Sequence, residues 1–367
     1  VKKILLFWNG MATDQVSGGD TYINKLISNS EDSFSIILSA QASRLIADKS
    51  AQIIYTTDNR STDSNTGIIL LYLARALGSF WFLLRTRTIF RRQDLVLASS
   101  PFLCDIFPAM FCRAKGRAVI LFHLIPQRKA STFTAKIRFT LARVEQAMSL
   151  SIIRWRFSVI LVGNVELKTQ LTKKFPNKKI VVADAGINTQ EIDIIKTKKK
   201  DPNLAVFVGR LTTQKGVLDL VDIAKSVGEK YPDFRLVVVG DGPHRHLLED
   251  KINELGVANV ELLGFVSKSD KYSLMKRAKF FLFPSYEEGW GIALAEALYS
   301  GCHCFCYEIR HYRGLFGKYP EYIVMGDKIS FANRIIKDYD KPVSKDQISF
   351  VHQYDDELVI KSVLKSL

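Results

Sequence analysis

One pattern constrains this chain more than any other. Short apolar runs, many of them closed by a glycine turn, give way to helical periodicity, and the cycle recurs almost from end to end. Lys3–Trp8 is such a run; Ser17-Gly18-Gly19-Asp20 follows, and then Tyr22, Ile23, Leu26 and Ile27 at helical spacing. Further strands are expected at Phe34–Leu38, Gln52–Tyr55, Leu95–Ala98, Ala118–Phe122 and Val159–Val162. The second half repeats the cycle, with strands at Ala205–Val208, Phe234–Val239, Val260–Leu262 and Phe280–Phe283 and helices at Gly216–Lys230, His244–Leu255 and Gly291–Ser300. Parallel strands need crossover helices, so the alternation predicts parallel sheets covered on both faces. Two such series in 367 residues predict an α/β protein of two Rossmann-like domains, with ligands at the carboxyl ends of the strands.

The boundary is expected in the polar stretch Asn188–Asn203, where four lysines beginning at Lys196 read as a solvated linker. This divides the chain into 1–187, 188–345 and a tail, 346–367. The tail is expected to be an amphipathic helix with Phe350, Val351, Tyr354, Leu358, Val359 and Leu364 as its apolar positions.

Composition narrows the partners. A 47% hydrophobic content and a mean hydropathy of +0.04 exclude a disordered chain. Five cysteines, an odd count, argue against a disulfide framework and for a reducing compartment. The opening apolar run is too short for a signal peptide, and the longest apolar stretch, Gly67–Leu84, is interrupted by Arg75. A cytoplasmic protein is the expectation. The charge is lopsided: residues 1–200 carry 30 basic and 14 acidic side chains, a net +16, and residues 201–367 carry 22 and 23, a net −1. Cationic residues interleave with aromatics at 67–92 and 128–156, which fits helices lying peripherally on an anionic membrane. The competing reading puts those aromatics in the core and leaves the charges solvated. Nucleic acid is disfavoured because no recognition module is present.

The densest chemistry lies in the second half. Phe280-Phe281-Leu282-Phe283-Pro284-Ser285 runs into Tyr286-Glu287-Glu288-Gly289-Trp290-Gly291 and then a helix carrying Glu296. Upstream, Val208-Gly209-Arg210-Leu211-Thr212-Thr213-Gln214-Lys215-Gly216 ends a strand and opens a helix. Glycines, free helix-start amides, an Arg fork and a Lys point charge suit a diphosphate. Carboxylates at the helix mouth suit hydroxyl groups. Cys302-His303-Cys304-Phe305-Cys306 invites a zinc reading, but alternation along a strand would put all three thiols on one core face, so no metal is expected. Gly240-Asp241-Gly242 lacks the third glycine of a dinucleotide fingerprint.

With these pieces in order, the chain resembles the retaining nucleotide-sugar glycosyltransferases of family 4, which have the GT-B fold. The matching pieces are Arg210-x4-Lys215-Gly216, Val239-Gly240-Asp241-Gly242-Pro243, Leu263-Gly264-Phe265-Val266, Glu288-x7-Glu296 and Ala297-Leu298-Tyr299-Ser300-Gly301. Looser matches in the first half are Ser17-Gly18-Gly19, Ser99-Ser100-Pro101, His123, Asn164 and Ala185-Gly186-Ile187-Asn188.

The resemblance implies two domains facing each other across a cleft, with the last helix crossing back to the first. It implies that Arg210 and Lys215 bind the donor diphosphate beside Gly209, with Gly18 and Gly19 completing the cradle. Glu296 would take the ribose hydroxyls. Glu288 would touch the hexose beside Trp290, Gly291, Ile292 and Ala293, with Gly240, Phe265 and Val266 near the base and His123 near the sugar. The expected reaction is transfer of a hexose from a UDP- or GDP-sugar to a lipid-linked or glycan acceptor. It keeps the anomeric configuration and needs no metal or cofactor, since no Asp-x-Asp motif sits at a strand end. The alternatives are a non-catalytic GT-B protein that binds nucleotide sugars and, more weakly, a basic nucleic-acid-binding protein. The first domain leaves room for the former, because no His-Asp pair follows the strand at Leu121.

Overall fold

The computed structural model describes residues 1–10, 18–46, 51–57, 65–86, 93–121, 133–197 and 199–367. These form two compact units, Val1–Asp184 with Glu357–Leu367, and Ala185–Asp356.

In the first unit the described strands are β1 (Lys3–Trp8), β2 (Ser33–Ser39), β3 (Gln52–Thr57), β4 (Gln93–Ala98), β5 (Ala114–Ile120), β6 (Val159–Val162) and β7 (Lys179–Val182). They make one parallel sheet in the order β3-β2-β1-β4-β5-β6-β7. The helices are α1 (Gly18–Ser28), α2 (Ala40–Ser43), α3 (Asn65–Arg85), α4 (Leu103–Phe111), α5 (Phe133–Arg156) and α6 (Val165–Lys174). Strand alternation divides the core. Ile4, Leu6 and Trp8 of β1 pack with Tyr22, Ile23 and Leu26 of α1 on one face. Leu5 and Phe7 pack with Leu83 of α3, Ile106 of α4 and Ile153 of α5 on the other. Burial on both faces is why the central strands read as unbroken apolar runs rather than alternating ones. Asn164 caps α6, its side-chain oxygen accepting from the Leu167 amide at 2.8 Å.

The second unit holds β8 (Asp201–Val208), β9 (Arg235–Val239), β10 (Val260–Gly264), β11 (Ala278–Phe283), β12 (His303–Tyr307) and β13 (Glu321–Ile323). Its sheet, again parallel, runs β10-β9-β8-β11-β12-β13. The helices are α7 (Thr189–Ile194), α8 (Val217–Lys230), α9 (Arg245–Glu254), α10 (Lys268–Arg277), α11 (Ile292–Tyr299), α12 (Tyr312–Phe316), α13 (Lys328–Lys337) and α14 (Asp346–Val351). The closing helix, α15 (Asp356–Ser366), packs Ile360 and Val363 into the core of the first unit. Among the described residues no helix is long and apolar enough to cross a membrane.

Four expectations are corrected. The boundary falls between Asp184 and Ala185, ahead of the expected stretch: Asn188 caps α7 inside the second unit, Lys196 and Lys199 are exposed, and Lys200 donates to the Ala278 carbonyl at 2.7 Å. The tail is not one element, because its first part stays with the second unit. Leu358, expected on the apolar face, is exposed. Arg75, counted among the surface cations, is completely buried. Its guanidinium donates to the Asn9 carbonyl at 2.8 Å and to Gln41 Oε1 at 2.7 Å.

Candidate functional site

Strand order reverses between β8 and β11, and a parallel sheet opens a crevice at such a point. The loops leaving these two strands meet there. The Tyr286 amide donates to the Gln214 carbonyl at 2.8 Å, and the Glu287 amide to the same oxygen at 3.3 Å. Gly216 lies in the left-handed region (φ 61°), and a Cβ on it would fall 1.9 Å from the Pro284 carbonyl oxygen. Glycine is therefore required for the two backbones to approach this closely. Neighbouring loops are tied in the same way: Gly209 donates to the Val239 carbonyl at 3.0 Å, Leu211 to Asp241 at 2.9 Å and Gly240 to Gly264 at 2.8 Å.

This backbone platform carries the charged side chains. Lys215 forms an ion pair with Glu288, and the Ser285 hydroxyl donates to the same carboxylate oxygen at 3.3 Å. Arg210, at the start of the loop that leaves β8, is exposed. Gly291, in the left-handed region, leads into α11, whose N-terminus has no side-chain cap. Its first-turn amides keep their donor capacity. Ile292 and Ala293 occupy that first turn. The Trp290 ring is buried against Phe316 and Tyr354, so only its backbone is offered to the loop. At the end of β10, Phe265 holds its ring in solvent (83% exposed), whereas Val266 packs against the core.

Glu296 is buried one turn along α11. Lys271 donates to both its oxygens, at 2.7 and 2.8 Å, and the Tyr272 hydroxyl donates at 3.0 Å. Burial, and then the Glu296 carboxylate, raise the Tyr272 phenol well above its ordinary range. Lys271 and Tyr272 belong to no motif in the sequence. Only their place at the start of α10, beside the strand-end Phe265-Val266, marks them. Gly18 and Gly19 open α1 in the first unit. His123 lies outside the described residues.

The cysteines are packing groups. Cys302, Cys304 and Cys306 are buried free thiols whose pKa values burial pushes up. His303, Glu321 and Asp338 cluster nearby, but Arg334 bridges both carboxylates and Lys341 pairs with Asp338. That is a structural ion network.

Two parallel Rossmann-type units, one with a glycine-built loop platform at its switch point, define the GT-B class. Residues 188–349, which lie within the second unit, match the family of glycosyl transferases group 1. Over 108 residues the chain is 32% identical to the 2-deoxystreptamine N-acetyl-D-glucosaminyltransferase of Niallia circulans, covering 29% of this chain and 28% of that one. Over 118 residues it is 28% identical to the alpha-monoglucosyldiacylglycerol synthase of Acholeplasma laidlawii, covering 31% and 30%. The chain spans less than half the length of the curated relatives it matches. The structure of Anabaena Alr3699/HepE in complex with UDP and glucose superimposes with a TM-score of 0.72 at 16% identity, covering all of both chains. At that identity the likeness establishes the fold.

Proposed function

We propose that the chain is a retaining hexosyltransferase. It takes a hexose from a UDP- or GDP-sugar and passes it to a lipid-linked or surface-glycan intermediate, peripherally bound at the cytoplasmic face of the membrane. The observation that carries the reading is the Lys215–Glu288 pair, held at the switch point by the Gly216–Pro284 approach. Arg210 and Lys215 neutralise the departing diphosphate, which is where charge develops in the transition state. On this reading they do so without a metal. Donor binding frees Lys215 for the phosphates and Glu288 for a hexose hydroxyl. The amides of Ile292 and Ala293 add dipoles aimed at the same charge. Glu296 holds the ribose, and Phe265 offers a face for the base. An acceptor hydroxyl attacks the anomeric carbon on the face the phosphate leaves. The C–O bond to phosphate breaks, and the hydroxyl proton passes to the departing phosphate oxygen. His123 and the Gly18–Gly19 turn are assigned to sugar and diphosphate on the resemblance alone.

Thermal shift against UDP, GDP, ADP and their sugars identifies the donor, since at equal concentration the tighter ligand stabilises more. NMR of the product then gives the anomer, with EDTA in a parallel reaction. The reading requires an unchanged anomeric configuration, activity in EDTA, and losses of about 10²–10³-fold for Arg210→Ala and Lys215→Ala. Full transfer by those variants and by Glu288→Ala would overturn it.

A further inference from the structure

Helix α3 is built inside out. Its inward side carries Arg75 and Ser79, both with no exposed surface, among Leu71, Ala76 and Leu83. Its outward side, from residue 70 to 84, carries Leu70, Leu73, Leu77, Trp81 and Leu84, and Leu77 is 60% exposed. The spacing of three and four residues makes these one stripe along the helix. A helix that faced only water would show the reverse pattern. The inward polar groups are bonded within the unit: the terminal nitrogens of Arg75 donate to Asn9 and Gln41, and Ser79 accepts from Asn9. The inversion is therefore part of the folded unit and not a packing fault.

The stripe does not stand alone. Helices α3, α4 and α5 lie on the same face of the sheet. Phe80 joins α3 to α4 through Phe107 and Phe111, at 5.6 and 4.7 Å between ring centroids. Phe111 is half exposed, and α5 adds Leu141, Val144 and Met148 at the same helical spacing. Scattered exposed leucines need no explanation, but an apolar surface running over three neighbouring helices does.

Charge selects the occupant. The only carboxylates on the three helices are Asp105 and Glu145. Asp105 is buried, and Glu145 accepts from the Leu103 amide at 3.1 Å. The exposed charges on α3 and α5 are cationic, with Arg85 standing over the Trp81 ring and Arg143 and Arg156 on α5. A second copy docked on this face would bring like charges together with no carboxylate to balance them. An anionic bilayer offers both an apolar interior and a negative surface.

We infer that α3, with the outward edges of α4 and α5, seats in the interfacial layer of an anionic membrane, with Leu73, Leu77 and Trp81 inserted and the arginines at the headgroups. This deepens the membrane-side reading above and rests on it for the setting. It departs from the sequence-level expectation in one respect. Insertion of apolar side chains, rather than surface charge alone, holds the protein, so binding survives salt that would strip a purely electrostatic contact.

The test is flotation of the full chain with phosphatidylcholine vesicles, with and without phosphatidylglycerol, in low and high salt. Tryptophan emission is followed alongside. Trp8 and Trp290 are buried, so a blue shift on vesicle addition reports Trp81 and Trp155. The wild type floats with phosphatidylglycerol vesicles and keeps a substantial part of that binding in high salt. The double variant Leu77→Ser/Trp81→Ser loses at least ~tenfold in partitioning, and Arg143→Gln loses about fivefold in low salt. Both keep the wild-type unfolding midpoint and nucleotide affinity, because the altered side chains face outward in the other unit. Wild-type protein that stays with the unbound fraction overturns the inference. So does a double variant that floats unchanged, or a wild-type dimer in lipid-free light scattering that the double variant abolishes. Donor binding is scored separately, so a failed glycosyltransferase assignment leaves the flotation result standing.

Discussion

The two units share a strand order and build its reversal point differently. In the second unit the loops after β8 and β11 touch backbone to backbone, and partly exposed charges stand on that platform. In the first unit the loops after β1 and β4 are tied by buried side chains. Asp105 accepts from the Asn9 amide at 2.7 Å, from Ser99 at 3.0 Å and from Ser100 at 2.6 Å, and Thr57 donates to Asn9 at 3.0 Å. Among the described residues, one switch point leaves its charged groups partly exposed, and the other bonds its polar groups to one another. Topology alone therefore does not make a site.

Glycine substitution gives the widest separation between the two. Gly216→Ala places a methyl 1.9 Å from a backbone carbonyl oxygen at a left-handed position, so the two loops must part. A loss above ~4 kcal/mol in the second unit is expected. For Gly10→Ala the nearest described atoms are the Ser100 hydroxyl at 3.0 Å and a Phe102 ring carbon at 3.2 Å. Those side chains can give way, at a cost of about 1 kcal/mol. Denaturant titration of both variants reads the difference, and equal losses would dissolve the contrast.

Lys215→Ala comes next. Its pair with Glu288 is partly solvated, so stability should change by no more than ~1 kcal/mol. Turnover should fall about 10²–10³-fold if the lysine meets the leaving diphosphate. A variant that unfolds early but turns over normally would make this pair as structural as the Asp105 network.

The contrast also explains what the sequence can and cannot reveal. Most of the residues proposed to hold the donor lie in two short segments, 209–216 and 284–296, because strand-end loops of a parallel sheet carry their chemistry locally. Both segments are legible in the sequence, as are the two sheets, from apolar runs and glycine turns. Asn9, Gln41, Thr57, Arg75 and Asp105 meet from five separate elements, and no spacing links them. Arg75 misleads for a physical reason: charge in an apolar helix normally means solvent, and here the helix is turned over. Lys271 stays hidden because a lysine on a polar helix carries no signal until its carboxylate partner, 25 residues on, is in place.

Asp105 gives a pH-dependent test of the closed switch point. Burial raises its pKa to about 6, although hydrogen bonds from Ser100, Asn9 and Ser99 oppose the shift. Because the folded value is the higher one, folding favours the neutral acid. That stabilisation is complete below the unfolded pKa near 4 and is lost as pH rises through about 6. Asp105→Asn does not titrate there, and its amide can keep the Asn9 bond while donating to the serine hydroxyls. From pH 4 to 7 it should gain on the wild type, by at most about 3 kcal/mol. Parallel unfolding curves at every pH would place the titration elsewhere.

The smallest effect probes Glu296, the one donor-side acid that is buried like the residues of the closed site. Its carboxylate is held by Lys271 and Tyr272, so it combines an enclosed setting with a proposed binding role. If that role is to receive ribose hydroxyls, the lysine fixes the orientation of the carboxylate without touching the reacting atoms. Lys271→Met should then raise the donor KM about tenfold, the loss of one well-placed charge-assisted contact, and leave kcat nearly unchanged. Calorimetry with ribo- and 2′-deoxyribonucleotides supplies the readout a purely structural role would not move. The wild type should prefer the ribose, and the variant should lose most of that preference. Should Lys271→Met lower only the unfolding midpoint, Glu296 belongs with Asp105 as part of the frame, and the open site narrows to Arg210, Lys215 and Glu288.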